Sequence, residues 1–315
     1  MKKFINTVRI EGYLYEANLE KKVTGPNSKT PGQTYITGTI SIATDDEMVN
    51  IVPVHYTYVV PTYSQSGKEN PNYKILEQII DGKVKTVMAD GANVAAKFRI
   101  DSAIDLNEFY SDRNGAEELV SVKRNEGGFI HNTTVFNPDP KERSKFECDM
   151  VITGTRRIDA NEERNLPEKM ILKGAIFNGF NNKYRLLPVE FSVVNPGAMD
   201  YFEGLEASAK HPVFTKVRGK EVSETQMRRI VEESAFGDAD VREIPSSYKD
   251  FVIVWAAKEP YDWDDESTIT AKELTEMMSQ RELVLAEIKQ RRDEYLASKN
   301  GGSAPASNAG GAFDF

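Results

Sequence analysis

Arg9, Tyr13 and Tyr15 stand at odd positions of a stretch whose even positions are Val8, Ile10, Gly12 and Leu14. An extended strand sends alternate side chains to opposite faces. This spacing therefore groups one cation and two aromatic rings on the face turned away from the apolar side. Planar rings stack on nucleobases and cations neutralise phosphates, which is the chemistry of holding a single nucleic-acid strand without sequence preference. Tyr35 points the same way on the next extended stretch, opposite to Ile36 and Ile40. Lys21, Lys22 and Lys29 are expected in the long loop between the two stretches.

A second group lies further along the chain. Arg156 and Arg157 close one extended stretch, Lys173 and Phe177 share the outer face of another, and Lys183 and Arg185 open a third. By contrast, Tyr56, Tyr58 and Phe191 share a face with Val52 and Val54 or with Leu187 and Val189, and are expected in the core. A single ring in such a place often packs under a loop, and a lone surface cation is ordinarily solvated. The grouping carries the reading, not its members.

Catalytic chemistry finds no comparable grouping. His55, His131 and His211 are isolated from one another, and one cysteine without a Cys-x-x-Cys pair or a His-Glu-x-x-His helix excludes the usual zinc site. Gly25 to Thr30 contains Gly, Lys and Thr but lacks the spacing of a phosphate-binding P-loop. Asp262, Asp264, Asp265 and Glu266 form a charge run just before a helix start, where a carboxylate favours the helix dipole. The sequence thus predicts a non-enzyme with no catalytic residue, no metal and no cofactor.

The elements that position these residues occur twice. Val8-Arg9-Ile10-Glu11-Gly12 returns as Met150-Val151-Ile152-Thr153-Gly154, and Ile36-Thr37-Gly38-Thr39-Ile40 returns as Leu172-Lys173-Gly174-Ala175-Ile176. Val52 to Pro61 returns as Leu187 to Pro196, with Pro53 and Pro188 inside the repeated strand, a position that points to an edge or a bulge. The offset falls from 142 to 136 to 135, as it does when strands align and the loops between them differ in length. Helices are expected near 72–80, 199–209 and 223–234, and strands near 94–104, 213–217 and 251–256. Residues 111–145, rich in Asn, Gly, Asp and Pro, read as the joint between copies. Thr270-Ala271-Lys272-Glu273 is a capping box that opens a helix with Leu274, Met278, Leu285, Ile288 and Tyr295 as its apolar stripe. That helix is expected to dock on the second copy, with self-association as the alternative. Beyond it a Gly- and Ser-rich flexible linker runs to Phe313-Asp314-Phe315.

Composition narrows the setting. Residues 1–230 balance at 31 cations and 31 carboxylates, while 231–315 hold 9 against 18, the entire net charge of −9. An acidic total is therefore compatible with an anionic ligand on the first 230 residues. The single Cys148 cannot form an internal disulfide, no apolar run is long enough to cross a bilayer, and Met1-Lys2-Lys3-Phe4 has no apolar stretch behind it. A cytoplasmic protein without membrane contact is expected.

Ile5-Asn6-x-Val8-x-x-x-Gly12-x-Leu14, followed by Thr39-Ile40-Ser41-Ile42-Ala43, resembles the opening strands of single-stranded DNA-binding proteins of the bacterial and phage type. The linker with an acidic-aromatic tip is similar to their partner-recruiting tail. The resemblance implies the OB-fold, a five-stranded Greek-key barrel that binds oligonucleotides on one face and its flanking loops. Lys21, Lys22 and Lys29 would then line a flanking loop, and Phe313, Asp314 and Phe315 would recruit replication or recombination proteins. The departures are a second copy in one chain and a tip reduced to one acid, a pattern that fits a diverged phage protein acting in the host cytoplasm. The expected architecture is mainly β: two tandem OB-fold-like β-barrels over 1–125 and 126–260, an acidic segment with an amphipathic α-helix over 261–299, and a flexible C-terminal tail over 300–315. The oligomeric state stays open, and two modules per chain are compatible with a monomer. The expected function is sequence-independent binding and protection of single-stranded DNA in replication, recombination and repair. A virion structural or assembly protein built from duplicated β-barrels is the alternative that shares the repeat.

Overall fold

A computed structural model describes residues 4–26, 28–63, 66–112, 117–161, 167–180, 183–232, 240–263 and 269–300. The tip Phe313, Asp314 and Phe315 and the acids Asp264, Asp265 and Glu266 lie outside the described residues, as does the side chain of Lys183. The first half contains β1 (Asn6–Val23), β2 (Thr34–Ala43), β3 (Ile51–Val59), α1 (Pro71–Ile80), α2 (Val87–Asp90), β4 (Lys97–Ser111) and β5 (Glu118–Asn132). The second contains β6 (Ser144–Ile158), β7 (Lys169–Phe180), β8 (Lys183–Val193), α3 (Pro196–Gly204), β9 (Val213–Glu232) and β10 (Asp240–Ala256), and α4 (Ala271–Asn300) follows. The fold is mainly β with a C-terminal helix.

In the first half the pairings run in a cycle. β1 pairs with β2, β2 with β3, β3 with β5 in parallel, β5 with β4, and β4 again with β1. The second half repeats it: β6 with β7, β7 with β8, β8 with β10 in parallel, β10 with β9, and β9 with β6. A helix follows the third strand in both, opened by the same device. Asn70 before Pro71 and Asn195 before Pro196 each accept a backbone N–H with the side-chain oxygen, with proline at the first helical position. The repeated glycine of the second strand also has one cause. A Cβ on Gly38 would meet the Asn18 carbonyl oxygen at 2.1 Å, and one on Gly174 the Val151 oxygen at 2.1 Å.

The two cycles share a sheet. β1 pairs antiparallel with β6, from Asn6 opposite Cys148 to Ile10 opposite Ser144. One buried apolar cluster runs through this junction, from Ile40, Val54 and Phe98 in the first half to Leu172, Phe191 and Phe251 in the second.

Several expectations need correction. The joint expected over 111–145 contains β5, so a boundary at 125/126 would cut the strand that completes the first cycle, and the link between cycles is 133–143. Of the helix expected over 223–234, the described residues 223–232 are strand, because β9 and β10 form a long antiparallel ladder from Val217 opposite Ala256 to Glu232 opposite Asp240. Lys21 and Lys22 are not in a loop. β1 continues to Val23 and pairs them with Ile36 and Tyr35. The capping box is present, with Thr270 N–H donating to Glu273 and Glu273 N–H donating to Thr270 Oγ1. On α4, however, Met278 and Tyr295 are exposed. Leu274 and Met277 pack on the second half, and further along Arg281 binds both Glu108 of β4 and the Leu186 carbonyl of β8. The helix thus straps across both halves instead of docking on one.

Candidate nucleic-acid interface

A bulge between Leu14 and Glu16 of β1 reverses which positions face outward. Before it Arg9 and Tyr13 are outward; beyond it Glu16, Asn18, Glu20 and Lys22 are exposed, as are Lys21 and Val23 near the end of the strand. Lys22 lies opposite Tyr35 and pairs with Glu20 at 2.7 Å. A second bulge, where β2 passes from Ile36 to Gly38, gives β3 an extra residue and turns Tyr58 out while Val59 turns in. Tyr58 is therefore not a core residue. Its ring lies 4.7 Å from that of Tyr35 at 39°, and its hydroxyl is 3.1 Å from Thr30 Oγ1 in the β1–β2 loop, which also carries the exposed Lys29. Tyr56 and Phe191 are buried as expected. Lys21 turns instead to α1, 2.5 Å from Glu77 Oε1 and 5.7 Å from the Tyr73 ring centre, and the bond to Glu77 raises its pKa.

Arg9 and Tyr13 belong to a different patch, toward β4. Arg9 Nε is 2.9 Å from Asp101 Oδ1, and Arg99 and His131 approach the other oxygen of Asp101, each at 3.4 Å. Tyr13 meets Phe136 edge-on at 5.0 Å, and Lys97 Nζ stands 5.3 Å from one ring centre and 5.4 Å from the other. Tyr15, beside the bulge, is half-buried.

The second-half residues separate further. Phe177 is not on an outer face. It is 1% exposed, stacks on Phe4 at 4.3 Å and meets Phe214 at 5.9 Å, in a cluster closed by Tyr261, Trp263, Ile269, Leu274 and Met277. The chain after β10 folds back over β7 and covers the face that would have presented Phe177, while Lys173 stays exposed beyond it. Arg157 is held by Glu168 at 3.2 Å and by Asp200 and Glu203 at 2.6 Å, which raises its pKa; Arg156 is exposed. Arg185 binds Asp105 at 2.8 Å, joining the two halves. Both Arg157 and Arg185 serve internal ion pairs, where a phosphate would have to displace a carboxylate.

Between the halves lies a buried polar group that the sequence did not mark. Glu221 accepts a 2.6 Å hydrogen bond from Asn125 Nδ2, and burial pushes its carboxyl up to about 7 against the attraction of Lys249 and Lys123. Lys123 crosses from β5 to lie 5.2 Å and 5.3 Å from the Phe191 and Phe251 ring centres, and burial lowers its pKa. His55 bonds Thr39 Oγ1 at 2.9 Å, and burial with the charges of Arg124 and Lys249 lowers its pKa to about 4.

Among the described residues there is no group of three or more His, Cys, Asp or Glu that could hold a metal ion, and no helix is long and apolar enough to cross a membrane. The molecule defined by this geometry is a mainly β protein of two like-ordered strand cycles, with aromatic and cationic side chains on the outer surface of the first. The YorF family model matches residues 5–291, and the chain belongs to that family. No curated protein matches it.

Proposed function

We propose that each strand cycle is an OB-fold barrel and that the chain is a non-enzymatic single-stranded DNA-binding protein of the kind its opening strands resemble. The observation that carries this reading is the Tyr35–Tyr58 ring pair beside Lys22, at the rim of a five-strand cycle with a helix after its third strand. The OB-fold binds oligonucleotides on this part of its surface, the face of the second and third strands with the loop between the first two. Two adjoining rings offer faces for successive bases, and Lys22 and Lys29 supply charge for the phosphates between them. In the second cycle the corresponding face is covered by Tyr261, Trp263, Ile269, Leu274 and Met277, so the first cycle holds the strand and Lys173 and Arg156 contribute charge alone.

The test is an anisotropy titration with labelled oligo-dT. Tyr35→Ala with Tyr58→Ala should weaken binding by about tenfold or more, since each stacked base is worth roughly 1–3 kcal/mol. Lys173→Ala should cost less than threefold or so, as expected for one phosphate contact in salt. Equal, small losses in both variants would contradict the placement of the site on the first cycle.

A further inference from the structure

Where the two cycles join, six strands lie side by side in the order β5-β4-β1-β6-β9-β10. At about 4.8 Å per strand spacing this sheet is roughly 24 Å wide. The register sets one outward row as Phe129 opposite Asp101, Asp101 opposite Arg9, Arg9 opposite Lys145, and Lys145 opposite Lys220. The adjacent row runs from Thr7 to Glu147, Arg218 and Trp255. Rings thus stand at both margins and cations between them. Both rings are open to solvent, Phe129 at 58% and Trp255 at 43%.

The charges on this face do not cancel. Asp101 is shared by Arg9, Arg99 and His131, and Glu147 by Lys216 at 3.5 Å and Arg218 at 3.0 Å. Lys145, 3.4 Å from the exposed Glu142, and Lys220 add further charge, and Glu11 is a further carboxylate between the cations. Arg9 and Arg218 are half exposed and share their carboxylates with other basic groups, unlike Arg157 with its three carboxylates. The pairs therefore orient these cations and leave positive charge for a polyanion. Arg218 also lies flat on Trp255, 4.4 Å from the ring centre, which fixes the indole in place. A protein partner would want an apolar centre and a polar rim. Here the order is reversed, with charge in the middle and rings at the edges.

We propose that this junction is a second nucleic-acid surface, over which a single strand crosses from one cycle to the other with bases on Phe129 and Trp255 and phosphates over Arg9, Lys145 and Arg218. It rests on the single-stranded DNA reading but uses residues distinct from the Tyr35–Tyr58 pair. The test is titration of the full chain with labelled oligo-dT, followed by anisotropy and by tryptophan fluorescence. Phe129→Ala and Trp255→Ala should each weaken binding about tenfold. Trp255→Phe keeps a stacking face and should retain affinity while losing most of the quenching seen with the parent. Arg218→Gln should reduce the slope of log affinity against log salt by about 0.7. If the parent binds and the alanine variants bind within about twofold of it, with quenching unchanged in Trp255→Phe, the junction is overturned and the Tyr35–Tyr58 site stands. If the parent itself fails to bind, both fall together.

Discussion

Glu221 and His55 both feel the charge of Lys249, and their pKa values are shifted in opposite directions. Glu221 is raised from the ordinary 4.5 to about 7 because its carboxyl is buried. The folded chain therefore holds a proton there that the unfolded chain has released. Its contribution to stability is complete below about 4.5 and is lost as pH rises through about 7, roughly 3 kcal/mol in all. His55 is lowered from 6.5 to about 4, so its contribution is present above 6.5 and lost as pH falls through about 4. Between about 4.5 and 6.5 the two slopes oppose each other, and between about 6.5 and 7 the slope of Glu221 is unopposed by His55. Glu221→Gln keeps the hydrogen-bonding shape and should flatten the decline above pH 6.5 in urea-midpoint measurements. An unchanged decline would place the titrating group elsewhere. Neither role was legible in the sequence, where Glu221 stands beside a stretch that reads as helix and His55 as an isolated residue. Burial of a charge is set by what another segment brings over it, and that is a tertiary fact.

Among the elements, the strands with clean alternation were legible, and their order repeats as the sequence does. What escaped was local phase. Two bulges, in β1 after Leu14 and at the β2–β3 pairing beyond Ile36, reverse the alternation and move Tyr58 outward. Glu224-Thr225-Gln226-Met227-Arg228-Arg229 is good helix material, yet it is strand because β10 offers it a full antiparallel ladder, and pairing outweighs intrinsic preference. α4 was found by its capping box, but its contacts are partly ionic and so invisible to an apolar stripe. Arg281 forms a two-pronged pair with Glu108, both side chains largely buried. Removing one member strands a buried charge, so Arg281→Ala should cost roughly 3 kcal/mol. It should also speed amide exchange along α4, while Lys272→Ala, whose partner Glu276 is exposed, should change little. Equal protection of α4 in both variants would show that the apolar end and the Arg292 and Lys289 pairs with Glu117 hold the helix without Arg281.

At the scale of the whole molecule, two like-ordered strand cycles do not present two equal surfaces. The halves share a sheet through β1 and β6, a common core and a strap, α4, that touches both. The second half has its outer face closed by the chain that leads into that strap, and the first keeps its rim of rings and lysines open. The excess of carboxylates beyond residue 230 leaves the earlier part balanced overall. Such a division predicts a preference for a flexible strand, whose unstacked bases can reach the rings, over a duplex that offers phosphates alone. The most direct measurement is titration of the full chain with oligo-dT and with a matched duplex at two salt concentrations, read by intrinsic fluorescence. Tight binding to the single strand, weakening with a log–log slope of several times −0.7 as salt rises, with the duplex bound far less, is the predicted result. Absence of single-strand binding at low salt, or equal affinity for duplex, would contradict it.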